Sequence, residues 1–323
     1  MRLAFYMLGL LLLTQQEAHA NCPRLDVDTL QWISKPSPNR QLRPQGISGF
    51  NQEGIGVVAV VIDGLKQFLR VDWPSSVGRE ESAQKGPLNV VFFVHGWVPE
   101  PSRRFYQMGM DPGSYYSSII RLLADAGFLV VSPFLRGHGF SSTEQADEVG
   151  ILKDPESHTR FDRDVLGLWL ARDQVIDWLN DRLPFKASNF NRVSLFGHSM
   201  GAQTIADIIF SRCLGNIPSA VPVVLWAGGY RDNNQNLDRP DSRFVVWHLH
   251  GDHDRFVNAT SQKRFHKFLV SNGVESYYEQ LIGRNHELTY TQSSQLVGDS
   301  SDPALSTLLK RTITFLRSAL YQP

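Results

Sequence analysis

Residues 192–213 read RVSLFGHSMGAQTIADIIFSRC, and the pattern changes character part-way along. Val193 to Phe196 belong to a short apolar run suited to a buried strand, whereas from Met200 onward the apolar residues recur at helical spacing. Between the two stands Gly197-His198-Ser199-Met200-Gly201. A strand that turns directly into a helix through G-x-S-x-G is a nucleophile elbow. The turn is so tight that its flanking positions tolerate almost no side chain, and the serine hydroxyl is raised above the sheet. The competing reading of Ser199 is a simple N-cap of the helix that follows, and the strand-turn-helix placement favours the elbow.

On both sides of the elbow strands alternate with helices. Upstream, VVAVVI (57–62) and KQFLRVDW (66–73), separated by Asp63-Gly64, predict a hairpin. LNVVFFVHGW (88–97) predicts a strand buried on both faces. SYYSSIIRLLADAG (114–127) predicts a helix stopped by Gly127, followed by the strand FLVVSP (128–133). A helix over FDRDVLGLWLARDQVIDWLNDRL (161–183) leads towards the elbow. Downstream, the strands VPVVLWAG (221–228), FVVWHLHG (244–251) and SYYEQLI (276–282) alternate with the helices TSQKRFHKFLVSNG (260–273) and PALSTLLKRTITFLRSAL (303–320). The expected class is α/β: a mostly parallel sheet with helices on both faces and an antiparallel N-terminal edge. Open sheets of this kind hold ligands beyond the carboxyl ends of their strands.

The chain has 323 residues, 42% of them hydrophobic and 20% charged, enough for one large core and unlike the composition of disordered chains. Lys plus Arg and Asp plus Glu both number 32. No net field therefore draws nucleic acid or an anionic membrane surface, and neither is expected as a partner. MRLAFYMLGLLLLTQQEAHA, residues 1–20, has the pattern of a signal peptide: an early Arg, an apolar run from Leu3 to Leu13 and a small-residue end at Ala18-His19-Ala20. The run is shorter than the roughly 20 apolar residues that a membrane span needs. The expectation is cleavage near Ala20 and export, to the periplasm or as a secreted protein, without stable membrane insertion. Residues 21–55 read as an N-terminal arm lying over the domain, and residues 56–323 as a single catalytic domain. The two cysteines, in an oxidising compartment, permit one disulfide, Cys22–Cys213.

A serine needs a base, and the base an acid that orients it. On this topology the order is Ser, then Asp or Glu after a later strand, then His in the last loop before the final helix. The chain supplies Ser199, the aspartates that follow FVVWHLHG, and His286 in GRNHEL (283–288). The oxyanion formed on attack needs two donors. The Met200 amide, directly after the nucleophile, is one; the Trp97 amide, in the loop after the VVFFVHGW strand, is the expected second.

With His95-Gly96, RGHG (136–139), GHSMG (197–201), HGDHDRFV (250–257) and GRNH (283–286) in this order, the chain resembles an α/β-hydrolase over roughly residues 57–320. Within that family it is similar to dienelactone-hydrolase-like and cutinase-like enzymes and to prolyl-oligopeptidase-type catalytic domains. The resemblance implies a serine hydrolase that needs no cofactor. The family pattern H-G-x-x-D-x-x-V aligns on His250, Gly251, Asp254 and Val257, so it implies Asp254 as the acid rather than Asp252. Asp252 is then a loop carboxylate bonding nearby backbone amides. The connection GYRDNNQNLDRPDSR (229–243) is too short and polar for the helical cap that many members carry. An open site follows, suited to small-molecule or polymeric ester substrates, with the loop 141–160 as one wall.

WHLHGDHD (247–254) admits a rival reading, because His248, His250, Asp252 and His253 reproduce the H-x-H-x-D-H spacing of zinc hydrolases. Such a site draws further ligands from later loops, where only His266 and His286 remain, and His266 falls within an amphipathic helix. The triad is favoured, with His248 and His250 as strand-end histidines satisfied by hydrogen bonds. The expected function is an exported serine hydrolase of carboxylic esters. The same triad acting on peptides or amides is the alternative, weakened because residues 21–55 are too few for the propeller that screens peptide substrates. Zinc-dependent hydrolysis and a pseudoenzyme rank below both.

Overall fold

Apolar runs without alternation become interior strands, because each face of such a strand needs its own cover. The computed structural model describes residues 22–34, 54–74, 87–96, 116–136, 161–183, 187, 192–215, 217, 220–229, 239–288 and 303–319. The elements are β1 (Leu25–Ser34), β2 (Ile55–Ile62), β3 (Leu65–Asp72), β4 (Asn89–Val94), α1 (Ser117–Asp125), β5 (Phe128–Phe134), α2 (Phe161–Leu170), α3 (Arg172–Asn180), β6 (Val193–His198), α4 (Met200–Ile209), β7 (Val221–Trp226), β8 (Phe244–Gly251), α5 (Ala259–Ser271), β9 (Glu275–Leu281) and α6 (Pro303–Ala319). Among the described residues they form one sheet in the order β1-β2-β3-β5-β4-β6-β7-β8-β9. The pairs β1/β2, β2/β3 and β3/β5 are antiparallel. The remaining pairs, from β5/β4 to β8/β9, are parallel.

β4 illustrates how the two layers are fed. Val90, Phe92 and Val94 enter one core with residues of α2, α3, α4 and α5, while Val91 and Phe93 enter the other with residues of α1 and α6. A run with no polar interruption is thus split by strand alternation between two cores. β4 also has β5 on one side and β6 on the other. The crevice beyond its carboxyl end is the topological switch point at which open sheets bind ligands. The connection from β7 to β8 runs only over residues 227–243, and among the described residues no large cap covers that end.

Two local features differ from the sequence expectation. Within the expected arm, residues 25–34 contribute the edge strand β1, which pairs with β2. Its alternation is concealed by a register shift between Asp26 and Gln31, where Thr29 Oγ1 donates to the Asp26 carbonyl at 2.6 Å and accepts the Val61 amide at 2.8 Å. Such a bulge admits extra residues and breaks the period of two. Leu30, within the shifted stretch, is buried, and beyond it the Trp32 ring packs 5.5 Å from that of Trp178. The second difference is the helix expected over 161–183, which divides at Ala171. There the buried Arg172 folds back over the Trp169 ring, 4.6 Å from its centroid, and Nη1 donates to the Trp169 carbonyl at 2.7 Å. A side chain competing for a ladder carbonyl is a recognised cause of a helix break.

Cys22 and Cys213 are joined in a disulfide, with Cα atoms 5.6 Å apart, so the start of β1 is tied to the segment that follows α4. Among the described residues no helix is long and apolar enough to cross a membrane. The leader 1–20, Trp97, the rest of the RGHG stretch after Arg136 and the loop 141–160 lie outside the described residues.

Candidate active site

Ser199 stands between β6 and α4 with φ 55° and ψ −120°. A non-glycine residue at positive φ costs on the order of 1 kcal/mol or more and persists only where its surroundings impose it. Here the Ser199 amide donates to the Trp226 carbonyl at 2.8 Å, and the Ser199 carbonyl accepts the Gln203 amide at 3.0 Å. The turn also depends on close backbone approach. A Cβ at Gly197 would lie 2.6 Å from the Gly201 carbonyl carbon, and one at Gly201 would overlap the Val94 and His95 carbonyl groups. The spacing of glycines around the serine is the space that this crossing requires.

The acid and the base arrive on adjacent strands. Pairing of β8 with β9 continues past the strand ends, where the Asp252 amide donates to the Leu281 carbonyl at 3.1 Å and the His253 amide to the Arg284 carbonyl at 2.9 Å. Asp254 then turns inward, its amide donating to the Gly251 carbonyl at 3.2 Å. His286 lies in a short turn closed by the Leu288 amide on the Asn285 carbonyl, 3.1 Å, and by the buried Arg284, whose Nη1 donates to the Leu288 carbonyl at 3.0 Å.

The outcome is a continuous chain of side chains. His286 Nε2 is 2.8 Å from Ser199 Oγ, and His286 Nδ1 is 2.8 Å from Asp254 Oδ2. The other carboxylate oxygen, Asp254 Oδ1, accepts the Phe256 and Val257 amides at 2.8 and 2.9 Å. Burial pushes the Asp254 carboxyl up, but the bond from His286, its charge and these amides outweigh burial and hold the carboxyl below its ordinary value. Asp254 therefore remains ionised, its side chain fully enclosed. With the acid fixed on Nδ1, the geometry directs the Nε2 side of the ring towards Ser199, the arrangement in which an imidazole can draw a proton from a hydroxyl. Phe256, 80% exposed, meets the His286 ring edge-on at 5.0 Å.

The remaining expected residues are distributed as follows. Asp252 does not reach His286; its Oδ1 accepts the Gly283 amide at 2.7 Å and so braces the loop that carries the histidine. Met200 opens α4, where the first-turn amides have no partner within the helix. Arg136, the described member of the RGHG stretch, is bound to α2 through Asp164, with Nη2 to Oδ1 at 2.7 Å. The zinc constellation does not converge: His253 is exposed, Asp252 is taken by Gly283, and His250 Nε2 lies 4.0 Å from Asp254 Oδ2. Among the described residues no group of three or more His, Cys, Asp or Glu side chains is arranged to hold a metal ion. His248 corrects a further expectation. It is buried and packs against the Phe265 ring at 5.3 Å, and neither ring nitrogen has a hydrogen-bond partner. Burial, helped by the nearby His266, lowers its pKa to about 3, so it is neutral.

A family model described as the alpha/beta hydrolase family matches residues 91–309, a span that contains Ser199, Asp254 and His286. The chain belongs to the α/β-hydrolase family. As an α/β-hydrolase it shares its fold with a fungal esterase from Rhizomucor miehei, at 13% identity over 86% of each chain with a TM-score of 0.55. It is similarly related to the ferulic acid esterase AmCE1/Fae1A of the anaerobic fungus Anaeromyces mucronatus, at 14% identity over 90% of this chain and 98% of that one with a TM-score of 0.50. No curated protein sequence matches this α/β-hydrolase.

Proposed function

We propose that this α/β-hydrolase cleaves carboxylic esters through an acyl-enzyme, with Ser199 as nucleophile, His286 as general base and acid, and Asp254 orienting the imidazole. The observation that carries the reading is the pair of 2.8 Å bonds from His286 to Ser199 and Asp254. Ser199 Oγ bonds to the ester carbonyl carbon as its proton passes to His286 Nε2. The resulting oxyanion collapses, the bond to the alcohol oxygen breaks, and His286 returns the proton to that oxygen. Water, deprotonated by the same imidazole, then releases the acid and restores Ser199.

The oxyanion donors in this reading are the Met200 and Trp97 amides. The position of Met200 at the start of α4 supports the first. The Gly96 amide already donates to Tyr116 Oη at 3.0 Å, which leaves the next amide in that loop, that of Trp97, for the second. Esters are preferred to amides because an alkoxide leaves more readily than an amine anion, and because the two fold relatives named above are described as esterases. The chain is further read as exported. The disulfide between Cys22 and Cys213 supports an oxidising compartment, as does the leader pattern of residues 1–20.

Intact mass after exposure to a fluorophosphonate tests the reading, with one adduct expected on the wild type and none on Ser199→Ala. An unlabelled wild type refutes it. Turnover of p-nitrophenyl acyl esters should exceed that of aminoacyl p-nitroanilides and should be unaffected by a chelator. Preference for the anilides moves the assignment to a peptidase, and chelator-sensitive activity restored by zinc returns it to a metal site.

A further inference from the structure

His198, the variable residue ahead of Ser199 in the elbow, is only 2% exposed, and both of its ring nitrogens have partners. Nδ1 lies 2.9 Å from Tyr116 Oη, and Nε2 lies 2.9 Å from the main-chain carbonyl oxygen of His286. A carbonyl oxygen can only accept, so Nε2 carries the hydrogen. In a neutral imidazole Nδ1 is then the acceptor, and the Tyr116 hydroxyl donates to it. The phenol oxygen in turn accepts the Gly96 amide at 3.0 Å. Each direction in the series Gly96 to Tyr116 to His198 to His286 is therefore fixed by chemistry. The series requires a neutral His198, which burial provides, aided by the neighbouring His286, by lowering its pKa to about 3.

These bonds connect loops that leave three different strands. Gly96 follows β4, His198 ends β6 and His286 follows β9. Gly96 is itself against the nucleophile: a Cβ there would come 2.9 Å from Ser199 Cβ and 2.5 Å from Tyr116 Oη. Asp254 fixes the rotation of the His286 ring through Nδ1, but it does not hold the main chain from which that ring extends. We propose that Tyr116 and His198 are positioning residues, which hold the His286 main chain and the Gly96 loop in register with Ser199 by a buried hydrogen-bonded series. The inference rests on the reading of Ser199, His286 and Asp254 as the catalytic groups. A displacement of about 1 Å in such a constellation costs on the order of a hundredfold in rate, so a side chain that never touches substrate can still govern turnover.

Two amide replacements separate the contributions of the ring nitrogens. His198→Gln keeps an N–H close to the position of Nε2, whereas His198→Asn keeps an acceptor near Nδ1 and loses the donor to His286. On a soluble p-nitrophenyl ester, His198→Asn should lower kcat by about 10- to 100-fold with KM within about twofold, and His198→Gln should recover to within about fivefold of wild type. Equal kcat in wild type and both variants overturns the proposal, as does an equal loss in both variants or a change confined to KM. If melting curves show that His198→Asn does not fold, Tyr116→Phe carries the test, with a drop in kcat of about tenfold expected and wild-type kcat overturning the proposal. Ser199→Ala, run alongside, separates the two levels of the argument. Turnover that survives it removes the catalytic reading, whereas loss of turnover there with wild-type behaviour in the His198 and Tyr116 variants removes only the positioning role.

Discussion

Acidification from pH 7.5 to 5 should destabilise this protein through its buried histidines. His95, His198 and His248 are all at most 2% exposed, and burial lowers their pKa values from 6.5 to about 4, 3 and 3. Since the folded values lie below the unfolded one, the unfolded chain binds more protons below pH 6.5, and stability is lost as the pH falls from there towards the folded values. At pH 5 each ring is protonated when unfolded and neutral when folded. The integrated cost from pH 7.5 to 5 is about 2 kcal/mol per ring, or about 6 kcal/mol for the three. Asp162 works in the opposite sense. Burial raises its pKa from 3.8 to about 6, and it returns about 1 kcal/mol over the same interval. Asp164, raised by burial despite its bond from Arg136, adds to that return. The expected net loss is therefore about 4 kcal/mol, read as the change in unfolding free energy from urea titrations at a series of pH values. His248→Leu isolates one contribution, because its ring has no hydrogen bond to lose and packs against Phe265. That variant should change stability at pH 7.5 by less than about 1 kcal/mol and remove about 2 kcal/mol of the pH-dependent loss. A wild-type free energy that is flat between pH 7.5 and 5, or an unchanged pH dependence in His248→Leu, refutes the reasoning.

Asp254→Asn should retain the fold and lose about a thousandfold or more in kcat, since the imidazole loses its charge partner, while Asp252→Asn, which only weakens the brace on Gly283, should lose less than about tenfold; the reverse ranking in steady-state kinetics rejects the assignment of Asp254. Replacing both Cys22 and Cys213 by Ser opens a loop whose ends are 191 positions apart and should lower stability by about 5 kcal/mol on chain-entropy grounds, so an unchanged urea midpoint contradicts that account. Gly201→Ala forces a methyl group onto the Val94 and His95 carbonyls and should cost at least about 3 kcal/mol together with activity; a wild-type melting temperature would show that the elbow has slack.

The parallel half of the sheet was legible in the sequence because its strands are apolar without interruption. VVFFV needs no partner to reveal that it is buried on both faces. The elbow was equally legible, since G-x-S-x-G records a local steric requirement that the crossing of Gly201 over the Val94 and His95 carbonyls makes concrete. The order serine, acid, histidine was expected from topology, whereas the choice of Asp254 over Asp252 came from the resemblance to the family pattern. β1 was not legible, because the shift between Asp26 and Gln31 disrupts the alternation that identifies a half-buried strand. Nor was the break at Ala171, since the amphipathic pattern carries straight through it and only the folded structure directs Arg172 onto the Trp169 carbonyl. His248 was expected to have hydrogen-bond partners and has none, as nothing in a strand sequence says whether the facing helix will present a polar group or Phe265. Tyr116 carried no signal at all. Its partner His198 lies 82 positions away, and no spacing rule connects them. Arg284, by contrast, was in plain view within GRNH, although its service to the Leu288 carbonyl emerges only from the turn.

The bridge between Cys22 and Cys213 also has a consequence in time. Synthesis proceeds from the amino end at about 5–20 residues per second. The 191 positions between the two cysteines therefore separate their appearance by roughly 10 to 40 seconds. Throughout that interval one thiol waits without its mate, and the strand at the sheet margin is held by its pairing with β2 and by no covalent bond. Wherever β1 lifts away, β2 presents an open row of amides and carbonyls, the kind of margin that recruits strands from neighbouring chains. The covalent lock on this early strand therefore arrives only after β6 and α4 have been made. A nascent molecule whose late cysteine is delayed is exposed to exchange of that strand, and of that sulfur, with another copy.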